Sequence, residues 1–163
     1  MLKRILPLLH RYIFAVLLAF AVGLIISAFV LEYGFHAKPC LMCWWQRYAH
    51  WSIAAFAVLG IALPRLRTLL LLAIAATATV GLGIALWQSG AQLGLWQLPP
   101  FCGTSTAPLA EATNLLATLQ TEGAPPACNG MGFTIFHVSL AMWNIPTMVF
   151  VIFTSLYALK KGY

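Results

Sequence analysis

From Tyr12 to Leu31 the chain carries no charged residue, and the same holds from Thr68 to Trp87 and from about residue 131 to 159. Each run is long enough to cross about 30 Å of hydrocarbon as a helix. A fourth run, Trp44–Leu63, would match them but for Gln46, Arg47 and His50 near its start. Only 7% of the 163 residues are charged and 62% are hydrophobic. Soluble domains carry roughly 25% charged residues, so this composition belongs to the membrane class. The expected fold is all-α and integral to the membrane: a four-transmembrane-helix bundle forming one domain over residues 1–163. Its helices are expected over about 12–32, 43–63, 68–88 and 133–159, with outer loops over about 33–42 and 89–132.

Charge sets the expected orientation. With both termini and the turn between the second and third spans in the cytoplasm, Lys3, Arg4, Arg11, Arg65, Arg67, Lys160 and Lys161 lie inside. Only Lys38 and Arg47 are left outside, which is the positive-inside bias. All three acidic residues, Glu32, Glu111 and Glu122, fall outside. The net charge of +6 then serves orientation and attraction to the headgroups of the lipid bilayer, with no call for nucleic acid. Lys3-Arg4 ahead of an apolar run also suits a signal peptide. The run is longer than a typical h-region of about 7–15 residues, however, and no Ala-x-Ala-like site follows it. It is expected to remain as a span.

This topology places Cys40, Cys43, Cys102 and Cys128 together on the outer side, which next to a bacterial inner membrane is oxidising. Four cysteines allow three connectivities, and Cys40–Cys43 with Cys102–Cys128 is the natural one. A structural disulfide suits Cys102–Cys128, which would close a long segment rich in Pro, Gly, Ser and Thr. It suits Cys40–Cys43 poorly, because closing so short a ring removes little chain entropy. Cys-x-x-Cys pairs are more often redox or metal sites. A four-cysteine zinc centre therefore stays open, although an oxidising compartment and the wide spacing of the second pair work against it.

The stretch HAKPCLMCWWQRYAHW, residues 36–51, makes the first pair look reactive. Pro39 cannot continue a helix backwards and holds Lys38 extended, so the second helix is expected to start near Cys40 to Cys43. Unpaired N–H groups and the helix dipole at that end favour a thiolate. Arg47 is four residues after Cys43 and shares its helical face. Its permanent charge can stabilise a thiolate or an anionic ligand, or the side chain can snorkel to the interface. Trp44, Trp45, Tyr48 and Trp51 fit an aromatic belt and equally a flat apolar pocket for a ring-shaped, lipid-soluble ligand.

In the outer loop, LAEATNLLATLQ (109–120) spaces Leu109, Ala112, Leu115, Leu116 and Leu119 as one face of a short interfacial helix. Cys102 in QLPPFCG and Cys128 in PPACNG flank it in extended, proline-led segments open to another protein. His36 and His50 read as a loop residue and a boundary or packing residue. His137, Asn144 and Pro146 fall in the fourth expected span, where they supply interhelical hydrogen bonds and a kink. There is no nucleotide loop, Ser-His-Asp set or carboxylate pair.

Four spans, the CLMCWWQR block and a second cysteine pair in the long outer loop resemble the DsbB family over essentially the whole chain. These are bacterial inner-membrane thiol:quinone oxidoreductases that generate disulfides. The resemblance implies catalytic roles for all four cysteines. A reduced periplasmic thiol oxidase of the DsbA type attacks the loop disulfide, with Cys102 forming the mixed disulfide. Electrons then pass through Cys128 to Cys40–Cys43, and Cys43 delivers them to ubiquinone or menaquinone bound near Arg47. The resemblance implies no metal or flavin. Many members carry a histidine at the outer end of the third helix, where LWQSGAQ here offers Gln88 or Ser89. The segment after Cys128 matches the family only loosely, which points to a specialised oxidase partner. A vitamin-K-epoxide-reductase-like enzyme is the neighbouring reading, and a non-catalytic membrane protein with structural disulfides or bound metal is the rival from another class.

Overall fold

A computed structural model describes residues 2–98, 102, 127–130 and 133–161, with side chains described from Tyr12 onward. The interfacial helix expected over 109–120 lies outside the described residues. Four long helices make up most of the rest: α1 (Leu2–Gly34), α2 (Leu41–Ala62), α3 (Arg67–Gln92) and α4 (Leu140–Lys161). Three segments, Tyr12–Gly34, Pro64–Gln92 and Leu140–Lys161, are long and apolar enough to cross a membrane. This is the make-up of an all-α membrane protein. At 22 residues α2 is as long as α4, but the polar side chains of Gln46, Arg47 and His50 crowd its N-terminal half.

Local chemistry sets the helix ends. Behind Pro39, Cys40 is extended (φ −80°, ψ 172°), and its Sγ accepts the Cys43 N–H at 3.3 Å, a sulfur version of the usual N-cap oxygen. At the other end Leu63 N–H donates to the Leu59 carbonyl. Pro64 then opens a 3₁₀ turn, Pro64–Leu66, that leads directly into α3.

The fourth helix departs from its expected start near residue 133. Thr134–Ile135 (β1) and Val138–Ser139 (β2) pair antiparallel, Thr134 opposite Ser139 and Ile135 opposite Val138. Phe136 (φ 53°) and His137 (φ 63°) form the turn, and two positive φ values in succession mark the tight hairpin geometry. His137 is therefore a hairpin residue and not a span residue. The helix begins only after Ser139, whose Oγ accepts the Met142 N–H at 3.3 Å as an N-cap. Trp143 Nε1 donates to the Ile135 carbonyl at 3.2 Å and ties the hairpin to the first turn of α4.

In the bundle α2 packs between α1 and α3, and α3 packs on α4, while α1 and α4 hardly touch. Between lipid-like surfaces, close approach of backbones supplies much of the packing energy. Accordingly Ala21, Ala57, Ala78, Ala85, Ser155 and Ala158 are buried at these contacts. Phe14, Leu17, Ile53, Leu71, Ile74, Met148 and Val151 fill the core between them. Ile26, Val80 and Phe153 stay exposed, as side chains facing acyl chains do. Where α1 and α4 meet, the Phe20 and Phe150 rings lie 4.9 Å apart. Outward of that contact the two helices separate.

A Cβ added at Gly60 on α2 would fall onto the wholly buried Phe14 ring of α1. Gly60→Val is expected to lower the thermal unfolding midpoint in detergent, since overpacking costs about 1–3 kcal/mol. Gly83→Ala, with nothing within 4 Å of the added carbon, should leave the midpoint unchanged or raise it slightly. A Gly60→Val protein as stable as the native one would contradict this α1–α2 contact.

Candidate functional site

The fold brings the four cysteines to one place. Cys40 caps α2 and Cys43 follows one turn later, and Cys102 and Cys128 lie at the same end of the bundle. The Cys128 N–H donates to the Cys102 carbonyl at 3.1 Å. All four pack in one cluster with Met42, Ala91 and Leu98. All four are thiols in this structure, with Cys40, Cys102 and Cys128 buried and Cys43 half-buried. Among the described residues no group of three or more His, Cys, Asp or Glu is disposed to hold a metal ion.

Position governs their ionisation. The hydrogen bond with Cys43, and after it burial, hold the Cys40 thiol well above the ordinary range, with the Cys128 sulfur adding to the effect. Burial, then the hydrogen bond with Cys128, pushes Cys102 up to about 11. Both keep their protons at neutral pH.

Gln88, near the outer end of α3, is the polar neighbour of both pairs. Its Nε2 lies 3.3 Å from Cys40 Sγ, 3.7 Å from Cys43 Sγ and 3.5 Å from the Cys128 carbonyl oxygen. Its Oε1 accepts from Gln46 Nε2 at 3.0 Å. Gln46 Oε1 in turn accepts from Asn144 Nδ2 at 3.0 Å, and Asn144 Oδ1 faces His50 Nε2 at 2.9 Å. Three helices thus contribute to one buried polar chain. Asn144 makes the interhelical hydrogen bonds expected of it. His50, read as a boundary or packing residue, is a buried member of the chain.

Arg47 shares the outer part of α2 with Cys43, but its guanidinium is committed elsewhere. It pairs with Glu32 near the end of α1 and donates to the Ala28 carbonyl at 3.3 Å. Its charge also lies over the Phe29 and Trp44 rings, 5.2 and 4.8 Å from their centroids. Sequence reasoning missed Glu32 as its partner, because nothing local links two residues on different helices.

Beside the cysteines opens a cavity of about 690 Å³, with Cys40, Cys43, Arg47, His50, Gln88 and Asn144 among its lining residues. Leu24 and Leu31 of α1 and Leu140 and Trp143 of α4 form apolar walls, with Phe35 and Phe133 at the outer rim, their rings 5.8 Å apart. The cavity thus lies where α1 and α4 part. The aromatic cluster singled out in the sequence does not line it: Trp44 stacks on Arg47, and Tyr48 and Trp51 are exposed. A volume of this size, mostly apolar with a few convergent polar groups, is the form of a small-molecule site.

A family model described as "Disulfide bond formation protein DsbB" matches residues 10–158. The chain is similar to proteins named Disulfide bond formation protein B from three bacteria. It is 26% identical over 164 residues to the one from Marinobacter nauticus, covering 94% of each chain. To that of Shewanella frigidimarina it is 29% identical over 140 residues, covering 82% of this chain and 80% of the relative. To that of Dechloromonas aromatica it is 28% identical over 137 residues, covering 81% of each. No solved structure matches at comparable significance. With nearly the whole chain matched, and four cysteines gathered at one end of an apolar helical bundle, this protein belongs to the DsbB family of disulfide bond formation proteins.

Proposed function

We propose that the protein is a thiol:quinone oxidoreductase that reoxidises a DsbA-type dithiol protein in the periplasm and passes the electrons to ubiquinone or menaquinone. The observation that carries this reading is the convergence of both cysteine pairs in one cluster, with Cys40 and Cys43 lining a cavity bounded by α1 and α4. All four helices cross the inner membrane, with both termini cytoplasmic and the cysteines outside. A lipid-soluble ring can then enter laterally, between two helices that scarcely touch. The residues present fit a quinone: the walls are apolar, and Arg47 and Asn144, which carry N–H donors, line the cavity for ring oxygens.

The cysteines supply the exchange steps. A thiolate of the partner attacks Cys102 of the loop disulfide, forming a mixed disulfide and releasing the Cys128 thiol. The partner's second thiol resolves that bond, so the partner leaves oxidised and Cys102–Cys128 is left reduced. Cys128, beside Cys40, then attacks Cys40 of the inner disulfide and releases Cys43 as a thiolate. Cys102 displaces Cys40 from Cys128, which restores the loop disulfide and leaves Cys40–Cys43 reduced. A bound quinone supplies the electron sink, taking two electrons and two protons as the inner pair closes again. The sum is partner dithiol plus quinone giving partner disulfide plus quinol.

Mixing the purified protein with a soluble ubiquinone analogue and a reduced DsbA-type protein, and following quinone absorbance, tests the reading. Cys43→Ser is expected to abolish turnover while the protein stays folded. Arg47→Ala should raise the KM for quinone, with Glu32→Gln used to separate loss of the guanidinium from loss of its partner. A folded protein that turns over neither ubiquinone nor menaquinone would point instead to a non-catalytic membrane protein with structural disulfides.

Cys102 offers a separate check. A thiol pushed up from 9.0 to about 11 holds about a hundredfold less thiolate at pH 8. Alkylation of Cys102 in the reduced protein should therefore be about that much slower than for an unperturbed thiol, and should climb only as the pH approaches 11. Ready alkylation at pH 8 would contradict its buried placement.

A further inference from the structure

We propose that Gln88 is a catalytic residue of the disulfide exchange: its side-chain amide holds the negative charge of the Cys40–Cys43 pair and joins that pair to Cys128. Gln46, Asn144 and His50 are the positioning residues that aim it. The proposal rests on the redox reading of the same cysteines.

The case begins with burial. Gln88 is 2% exposed, so its amide must find partners within the protein or stay unsatisfied. Its Nε2 end is directed at three acceptors, two sulfurs and the Cys128 carbonyl. A carbonyl oxygen only accepts, so the end of the amide facing Cys128 must be the NH2. That choice fixes every later member of the chain. Gln88 Oε1 must face the Gln46 NH2, Gln46 Oε1 must face the Asn144 NH2, and Asn144 Oδ1 must face donors. His50 Nε2 supplies one at 2.9 Å, and Thr147 Oγ1 shares its single proton between this oxygen at 2.9 Å and the Asn144 backbone carbonyl at 2.7 Å. His50 consequently carries its proton on Nε2, which leaves Nδ1, buried and without a partner, as the acceptor.

Such a chain is polarised in one direction, with each amide strengthening the next. Its donor end meets the sulfurs, where it favours a thiolate over a thiol. The same NH2 touches the Cys128 backbone, so one side chain spans the two sites between which a disulfide must be exchanged. Among the groups around the pair, Arg47 is engaged by Glu32. His36, Lys38 and His50 line the cavity beside it, and Cys102 and Cys128 pack against it. Neither α3 nor α4 brings a titratable side chain to the cavity. On α3 the role of holding charge therefore falls to a neutral amide.

The test is alkylation of the fully reduced full-length protein across pH, with each cysteine quantified by mass. It needs neither quinone nor partner, so its failure is distinct from a failure of turnover. Gln88→Leu is expected to move the midpoint for the Cys40–Cys43 pair upward by about one pH unit or more, a tenfold loss of thiolate below the midpoint. Gln88→His, which keeps a ring N–H donor, should recover most of that shift. Gln46→Leu, which leaves Gln88 in place but unsteered, should give an intermediate shift. If Gln88→Leu does not fold, Gln88→Met serves instead, because a thioether of similar length offers the sulfurs no donor and must also raise the midpoint. A native midpoint in folded Gln88→Leu or Gln88→Met overturns the role of Gln88. A native midpoint in Gln46→Leu overturns the role of the chain.

Discussion

The Arg47 guanidinium lies buried near the cysteine end of an apolar bundle, and much of that end is arranged around it. A guanidinium does not lose its proton, so its charge must be matched where it stands. Glu32, the Ala28 carbonyl and the faces of Phe29 and Trp44 do this together. Removing one partner of a buried ion pair costs about 3–5 kcal/mol, far more than an exposed pair is worth. The pair consequently pins the outer part of α1 to α2 at the level of the cysteines. That contact forms one wall of the cavity, and α4 lines another.

The polar chain from His50 to Gln88 solves a second desolvation problem with neutral groups. Amides satisfied on both ends sit stably in a low-dielectric interior, whereas a half-satisfied network is costly. Running across α2, α3 and α4, it fixes the three helices relative to one another where small residues alone would let them slide. The two devices divide the site: an ion pair orders the α1 side, and a neutral relay orders the side that meets sulfur.

Much of this was legible in the sequence. Apolar runs located α1, α3 and the body of α4, since a membrane-length stretch without charge has few other fates. Pro39 marked the start of α2, and the Cys-x-x-Cys spacing marked the pair that sits at its first turn. The hairpin before α4 was hidden because FTIFHVS is as apolar as a span and turns on Phe136 and His137 in place of the usual Asn-Gly. Ser139 was the available signal for the true start of α4, as an N-cap ahead of an apolar run. The partners of Arg47 and Gln88 were not legible, because Glu32 and the chain's other members lie on different helices. Single-sequence patterns report faces within one helix and not register between helices. The aromatic-rich start of α2 drew attention to Trp44, Tyr48 and Trp51, yet aromatic walls of the cavity come from Phe35, Phe133 and Trp143.

The most direct measurement of the central claim is the stoichiometry of the exchange without oxygen. Disulfides formed in a reduced DsbA-type protein would be counted against quinol produced in the same vessel, with this protein at catalytic concentration. The account predicts one quinol for each partner disulfide, with both falling to background when Cys102 is replaced by serine. Partner disulfides accumulating without quinol, or quinol appearing while the partner's thiols persist, would contradict it.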